Sequence, residues 1–388
     1  MEFLVKRFLA VPVILLLIAV FSCGEKMKLP TEIPPSGDIG DTLYLLLNPP
    51  WDAAHGYNFA NLTCLYFGHD TYLYVADTGN NRILQIDAAG TLHDEFHVNH
   101  PISVSQDDLM RLLVVTGEKR IYKIDLGPGG DRTPGIAFDF NTPPAGLPPS
   151  DTSSYFFKLR SMIDSSDQFT SITDLPAYDK SYFVAVSSDR VNNGRVLWFW
   201  GSSEDREYTD SLFDSKFSNA DADTFQNPVV VTGNGITTTT FPNSIYAYDQ
   251  SGVMHLIVCQ DSGSYPVHDM RFERQVWNRH WVFNYTHNPG ETDLISRGFF
   301  DLPRGATVDQ FGNIYVVESG PLGGCGGYKF SRQGELLETF CDADTGTSIF
   351  NSPGGITYDI YGDRRTVYIA DTGDNRILRF KLSTDLEP

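Results

Sequence analysis

Near the two ends of this chain stands one signature, repeated in register. Tyr72-Leu-Tyr-Val-Ala-Asp-Thr-Gly-Asn-Asn-Arg-Ile-Leu-Gln-Ile-Asp87 and Val367-Tyr-Ile-Ala-Asp-Thr-Gly-Asp-Asn-Arg-Ile-Leu-Arg-Phe380 share Ala-Asp-Thr-Gly-x-Asn-Arg-Ile-Leu. A supersecondary unit reused in this way marks a repeat architecture. Each copy reads as two strands. Tyr74 and Val75 lead in, a Gly/Asn cluster tolerates the positive φ of a tight turn, and Ile83 and Ile86 lead out. Ahead of the second copy, Ser352-Pro-Gly-Gly-Ile-Thr-Tyr-Asp359 supplies a further short strand before another turn.

These residues resemble the NHL repeat, a propeller-blade family with a Pro-x-Gly-Ile start, a Val-Ala-Asp-x-x-Asn-x-Arg-Ile middle and an Asp-x-x-Gly hairpin. The match extends to Leu302–Asp309 with Ile314–Gly320. It thins at Pro101–Val104 with Leu112–Gly117 and Arg120–Asp125, and at Ile245–Asp249 with Leu256–Gly263. Ile172–Trp200 fits as a divergent blade. The resemblance implies an all-β fold, a six-bladed β-propeller with blades at 58–97, 98–140, 168–232, 241–287, 299–341 and 349–381. The last blade lacks an outer strand. Thr42–Leu47, with Leu43, Leu45 and Leu47, is left unpartnered and is expected to complete it, removing an aggregation-prone edge.

Residues 1–22 read as a secretion leader: Lys6 and Arg7, an apolar run from Phe8 to Phe21 broken by Pro12, then Val20-Phe21-Ser22-Cys23-Gly24. The run is short for the ~20 residues of a membrane span. Its end resembles a lipobox, which implies a lipid on Cys23. Residues 23–41, with Pro30, Pro34 and Pro35, then form a flexible tether and 42–388 the propeller. The expected location is a bacterial cell envelope, at the outer membrane, cell surface or periplasmic side.

The formal net charge is −20, from 29 basic and 49 acidic residues. A field of that sign repels nucleic acid and anionic headgroups, leaving the lipid as the only membrane contact. Without Cys23, four of the five cysteines remain. Cys325 and Cys341 fall opposite each other if the hairpin Tyr328–Phe340 folds about Gln333, within disulfide reach. Cys64 and Cys259 read as buried thiols.

In four-stranded blades, the B–C turns and the D–A crossovers share a face. The insertions at 141–169, 260–270, 288–299 and 319–327 all lie there, so a ligand site is expected on that face, over the channel. Asp77, Asp261, Glu318 and Asp371 sit at matching B-strand ends, with Val115 in blade two. As a ring they could hold a hard cation such as calcium. The structural alternative has each tying down its own turn, with Arg82 and Arg376 as struts between blades. Trp198, Trp200, Trp277 and Trp281 read as packing between blades, or as a sugar-stacking platform. Among the nine histidines only His93 and His97 show a zinc-like spacing, and on a strand they stand ~13 Å apart. No catalytic set emerges. The reading is a monomeric binding or scaffold protein for a protein, peptide or glycan; the alternative is a metal-dependent propeller hydrolase or lyase.

Overall fold

The computed structural model describes residues 43–139, 166–174, 181–189, 194–200, 224–230, 239–263, 265–275, 278–284, 293–296, 298–320, 326–341, 348–359 and 365–383. The leader, Cys23 and the tether lie outside the described residues, as does Cys325.

Six antiparallel four-stranded sheets form the blades. Strands are termed A to D from the axis outward. Blade 1 is β2 (Leu62–Phe67), β3 (Leu73–Asp77), β4 (Arg82–Ile86) and β5 (Leu92–His97). Blade 2 is β6 (Ser103–Gln106), β7 (Arg111–Val115), β8 (Arg120–Asp125) and β9 (Gly135–Asp139). Blade 3 is β10 (Gln168–Asp174), β11 (Ser181–Ser187), β12 (Arg195–Trp200) and β13 (Thr224–Val230). Blade 4 is β14 (Thr240–Gln250), β15 (Val253–Ser262), β16 (Val267–Gln275) and β17 (Asn278–Phe283). Blade 5 is β18 (Pro303–Val308), β19 (Ile314–Glu318), β20 (Gly327–Phe330) and β21 (Leu336–Thr339). Blade 6 is β22 (Pro353–Tyr358), β23 (Thr366–Asp371) and β24 (Arg376–Leu382), with β1 (Tyr44–Trp51) as its outermost strand.

The fold is therefore the expected six-bladed propeller, closed by the leading strand. Each A strand contacts the A strands of both neighbouring blades, including β22 with β2 across the closure. Six buried apolar clusters lie between successive blades and complete the circle. A B strand is sandwiched on both sides, so β3 and β19 are buried at every position and read as apolar runs rather than alternations. The outer strand β21 alternates in exposure, as a half-wet strand must.

Closure differs in one respect from the sequence expectation. Leu43 and Leu45 are outward and exposed, and the residues of β1 that fill the core are Tyr44 and Trp51. Tyr44 pairs with Leu382 and Trp51 with Ile377, with a register shift between.

An inner strand is the free edge of its own sheet, and its N–H groups need partners. Hydroxyls of the preceding blade supply them. Ser103 Oγ accepts from Ile172 N (3.2 Å), Ser105 Oγ from Asp174 N (2.9 Å) and Ser171 Oγ from Ile245 N (3.1 Å). Thr173 Oγ1 accepts from Ala247 N (3.1 Å), and Thr357 Oγ1 from Phe67 N (3.1 Å).

Candidate functional site

The channel along the axis encloses about 260 Å³. It is walled by the A strands of all six blades and by Thr372 of a B–C turn, so it opens on the D–A face. Its rim has a common construction. In five blades strand A carries a bulge near its start, at Thr63, Thr170, Asn243, Arg304 and Gly354. A bulge re-aims one side chain out of the ladder. Here four of these side chains reach sideways. Thr63 Oγ1 donates to Ile102 O (2.7 Å), Thr170 Oγ1 to Pro242 O (2.7 Å), and Asn243 Nδ2 to Pro303 O (2.8 Å). Arg304 bonds Ser319 Oγ through Nε (3.0 Å) and Asp261 Oδ1 through Nη1 (2.6 Å). Asn243 Oδ1 is left without a hydrogen bond, and Arg304 is the only charged residue lining the channel among the described residues.

The bulges also reset the B-strand ends. Strand-A residues Leu62, Pro353 and Pro303 lie opposite Asp77, Asp371 and Glu318. In blade 4, Pro242 lies opposite Gln260, so Gln260 and not Asp261 takes the matching position. Each of the four accepts a backbone N–H from the incoming crossover rather than from its own turn. Asp77 Oδ1 takes Ala60 N (2.7 Å), Asp371 Oδ1 takes Asn351 N (2.6 Å), and Gln260 Oε1 takes Thr240 N (2.7 Å). Glu318 Oε1 takes Leu302 N (3.1 Å) and Asp301 N. The second oxygens of Asp77 and Asp371 hold Arg82 Nε (2.7 Å) and Arg376 Nε (2.8 Å). Arg82 and Arg376 thus brace their own blade, while Asp77 and Asp371 are fully buried with both oxygens committed. Burial raises the Asp371 and Glu318 carboxyls above their usual values. Ser103 pairs with Val115 as Gly355 pairs with Ala370, so in blade 2 the position passes to Thr116 rather than Val115.

Blade 3 keeps the guanidinium and moves the acid. Arg195 lies opposite Val186, as Arg376 lies opposite Asp371, and it bonds Asp167 on the crossover ahead of β10. Trp198 and Trp281 meet edge to face at 6.5 Å, with Phe183 and Phe272, inside the cluster between blades 3 and 4. This is packing between blades. The side chain of Trp200 and all of Trp277 lie outside the described residues. His93 lies on β5 and bonds Asp87 (2.9 Å). Cys259 is buried and Cys64 half-buried, both free thiols, and burial pushes Cys259 up to about 12. In the blade 5 hairpin a bulge between Lys329 and Phe330 puts Tyr328 opposite Thr339, one residue off a turn centred on Gln333. The register of the described part of this hairpin is thus shifted from the symmetric one, and Cys325 itself lies outside the described residues.

The A–B face holds residues that sequence reasoning did not bring together. His69 follows β2, Asp108 follows β6, and Asp174 ends β10, on three consecutive blades. Their ligating atoms all lie within 4.8 Å of one another. His69 Nε2 is 3.5 Å from Asp174 Oδ2 and 3.9 Å from Asp108 Oδ1. Burial pushes Asp174 up to about 7, with the Asp108 and Asp107 charges adding to the rise. Burial alone would lower His69, but Asp174 and Asp108 outweigh it and raise its pKa. No spacing rule finds one residue per blade. The available signal was Gly68-His69-Asp70-Thr71, where blade 5 has the regular Asp309-x-x-Gly312.

A second buried imidazole behaves oppositely. His268, beside Gln260 Nε2 (3.3 Å), is pushed down to about 4 by burial. Its folded pKa lies below the unfolded value near 6.5, so the unfolded chain takes up the proton first as pH falls. Stability is expected to fall from about pH 6.5 to about pH 4 and to level off below. Replacing His268 by Gln should flatten that segment of a stability-versus-pH curve; an unchanged slope would assign it to other groups.

No family description matches this sequence, and no curated protein does. Solved structures are similar in fold. A luciferin-regenerating enzyme aligns over 87% of this chain and 95% of its own, at 12% identity and TM-score 0.50. A Bacteroides thetaiotaomicron protein of unknown function covers 87% and 72%, at 14% and 0.50. The calcium-binding protein regucalcin from Agrobacterium tumefaciens covers 84% and 91%, at 8% and 0.50. These are propellers of the SMP-30, gluconolactonase and NHL-like kind, and at such identities the likeness speaks for the fold alone.

Proposed function

We propose that this chain is a binding or scaffold protein that holds a protein, peptide or glycan at the channel mouth of its D–A face. The observation that carries this reading is the rim of bulged residues. Thr63, Thr170, Asn243 and Arg304 present hydroxyl, amide and guanidinium groups on a rigid ring, around a channel whose lining includes no carboxylate and no imidazole among the described residues. Such a rim can orient a polar ligand through hydrogen bonds.

The blades are NHL-type repeats in this reading. The leader directs secretion, the lipid on Cys23 anchors a monomer in the cell envelope, and a Cys325–Cys341 bridge staples the blade 5 hairpin beside the same face. Site-specific photocrosslinking in the native envelope tests the placement. A photoreactive residue at Asp301, on a D–A crossover, should yield a discrete adduct that one at Val253, on the A–B hairpin of blade 4, does not. Equal labelling from both positions, or adducts from Val253 alone, would overturn it. Loss of fatty-acid labelling in Cys23→Ala tests the anchor.

A further inference from the structure

We propose that His69, Asp108 and Asp174 bind one divalent transition-metal ion of the zinc class on the A–B face, at the end of the channel opposite the rim. This inference is independent of the binding role assigned to the D–A face.

The separations suit ligands gathered around one ion. Two more exposed imidazole–carboxylate pairs of this chain are short, 2.7 Å for His55–Asp52 and 2.9 Å for His93–Asp87, while the buried His255–Asp269 pair stands at 3.7 Å. At 3.5 and 3.9 Å, His69 Nε2 stands beyond good hydrogen bonding to either acid. Two ligands each about 2.0–2.1 Å from a tetrahedral zinc ion lie roughly 3.3 Å apart. The two distances from His69, 3.5 and 3.9 Å, stand close to that spacing, and all three atoms lie within 4.8 Å of one another.

Asp174 supplies the independent observation. It is 3% exposed, and its Oδ2, turned toward His69, has no hydrogen-bond donor. A buried carboxylate oxygen left in that state is costly, and a cation is the partner it lacks. The residue is firmly placed, because its backbone N–H donates to Ser105 Oγ of the neighbouring blade. Neighbouring Asp107 is already occupied by Arg111, through Nε and Nη2 at 2.8 Å each. The carboxylate oxygen of Asp174 thus faces His69 and Asp108 without a donor of its own.

The donor set fixes the class. Calcium and magnesium favour oxygen-only shells, whereas one nitrogen with two carboxylate oxygens suits zinc and its first-row neighbours. Asp108 is about one-third exposed, so the remaining coordination position opens to solvent for water or a ligand atom. With one ligand from each of blades 1, 2 and 3, the ion would also clamp three sheets together.

The test uses the full chain after chelator stripping. Zn²⁺ is titrated in competition with a chromophoric chelator, and Co²⁺ is followed by its visible d–d bands. One equivalent should bind, with ligand-field bands of a four- or five-coordinate site. His69→Gln and Asp174→Asn should each weaken binding at least about 100-fold, and Asp261→Asn on the other face should leave it unchanged. Asp108→Asn, on a partly exposed residue, serves if the buried variants fail to fold. No saturable binding below about 100 µM, or equal affinity in the variants, would leave an ion pair only and overturn the proposal.

Discussion

A chain that begins at Asp52, and so lacks β1, is expected to lose cooperative unfolding and to aggregate. A chain that begins at Leu43 should melt like the full protein. Three losses coincide in the shorter form. β24 becomes an open edge, because β1 is the only strand covering its outer side. The cluster between blades 6 and 1 loses Trp51, which is 3% exposed, stacks on Tyr57 at 5.6 Å and carries the Arg379 guanidinium 4.6 Å from its ring. The cluster between blades 5 and 6 loses Tyr44, whose hydroxyl meets that of Tyr315 at 3.1 Å. Removing a buried Trp alone costs roughly 3–5 kcal/mol, against a total stability of about 5–15 kcal/mol. Trp51→Ala should therefore lower the denaturation midpoint substantially while leaving the denaturant slope unchanged. Light scattering and circular dichroism on the two truncations decide the matter. Equal melting would mean that closure rests on blade packing and not on the leading strand.

The repeat was legible because blades 1 and 6 carry nearly every residue that their turns require. Asp77 and Asp371 each fasten an incoming crossover, while Asn81 and Asn375 adopt the left-handed conformation that ends the B–C turn. The closing strand was legible from its lack of any other partner. Its inward residues were not, because leucines at alternate positions suggest a core face and the core instead selected Tyr44 and Trp51. Bulges account for the next class of difference. They occur in the inner strands and in the outer hairpin of blade 5, and local propensity does not encode them. A one-residue slip moved the B-strand position from Asp261 to Gln260, and another shifted Tyr328–Phe340 off its symmetric register. The His69–Asp108–Asp174 group was hidden for a topological reason. Its members belong to three blades, and nothing links them except the order of sheets around the axis.

The ion pair of Arg195 with Asp167 should behave as a unit in a double-mutant cycle. Both side chains are buried, at 4% and 0% exposure, whereas Arg82 and Arg376 keep 19% and 27%. Removing one partner of a buried pair strands the other charge, at a cost of about 3–5 kcal/mol. Arg195→Met and Asp167→Leu should each show a loss of that size by chemical denaturation. The double variant should recover most of it, since replacing both charges by apolar groups is often neutral. Arg376→Met should cost less, because Asp371 keeps the Asn351 N–H at 2.6 Å and its former partner was partly solvated. A loss under about 1 kcal/mol in Arg195→Met would mean that water or other groups around Asp167 compensate its charge. The crossover before β10 feeds the blade whose Thr170 stands on the channel rim. Blade 3 has no acid at the end of strand B, where Val186 stands opposite Phe169, and fixes the crossover through Arg195 instead. The same experiment thus measures how firmly one-sixth of the proposed binding ring is held in place.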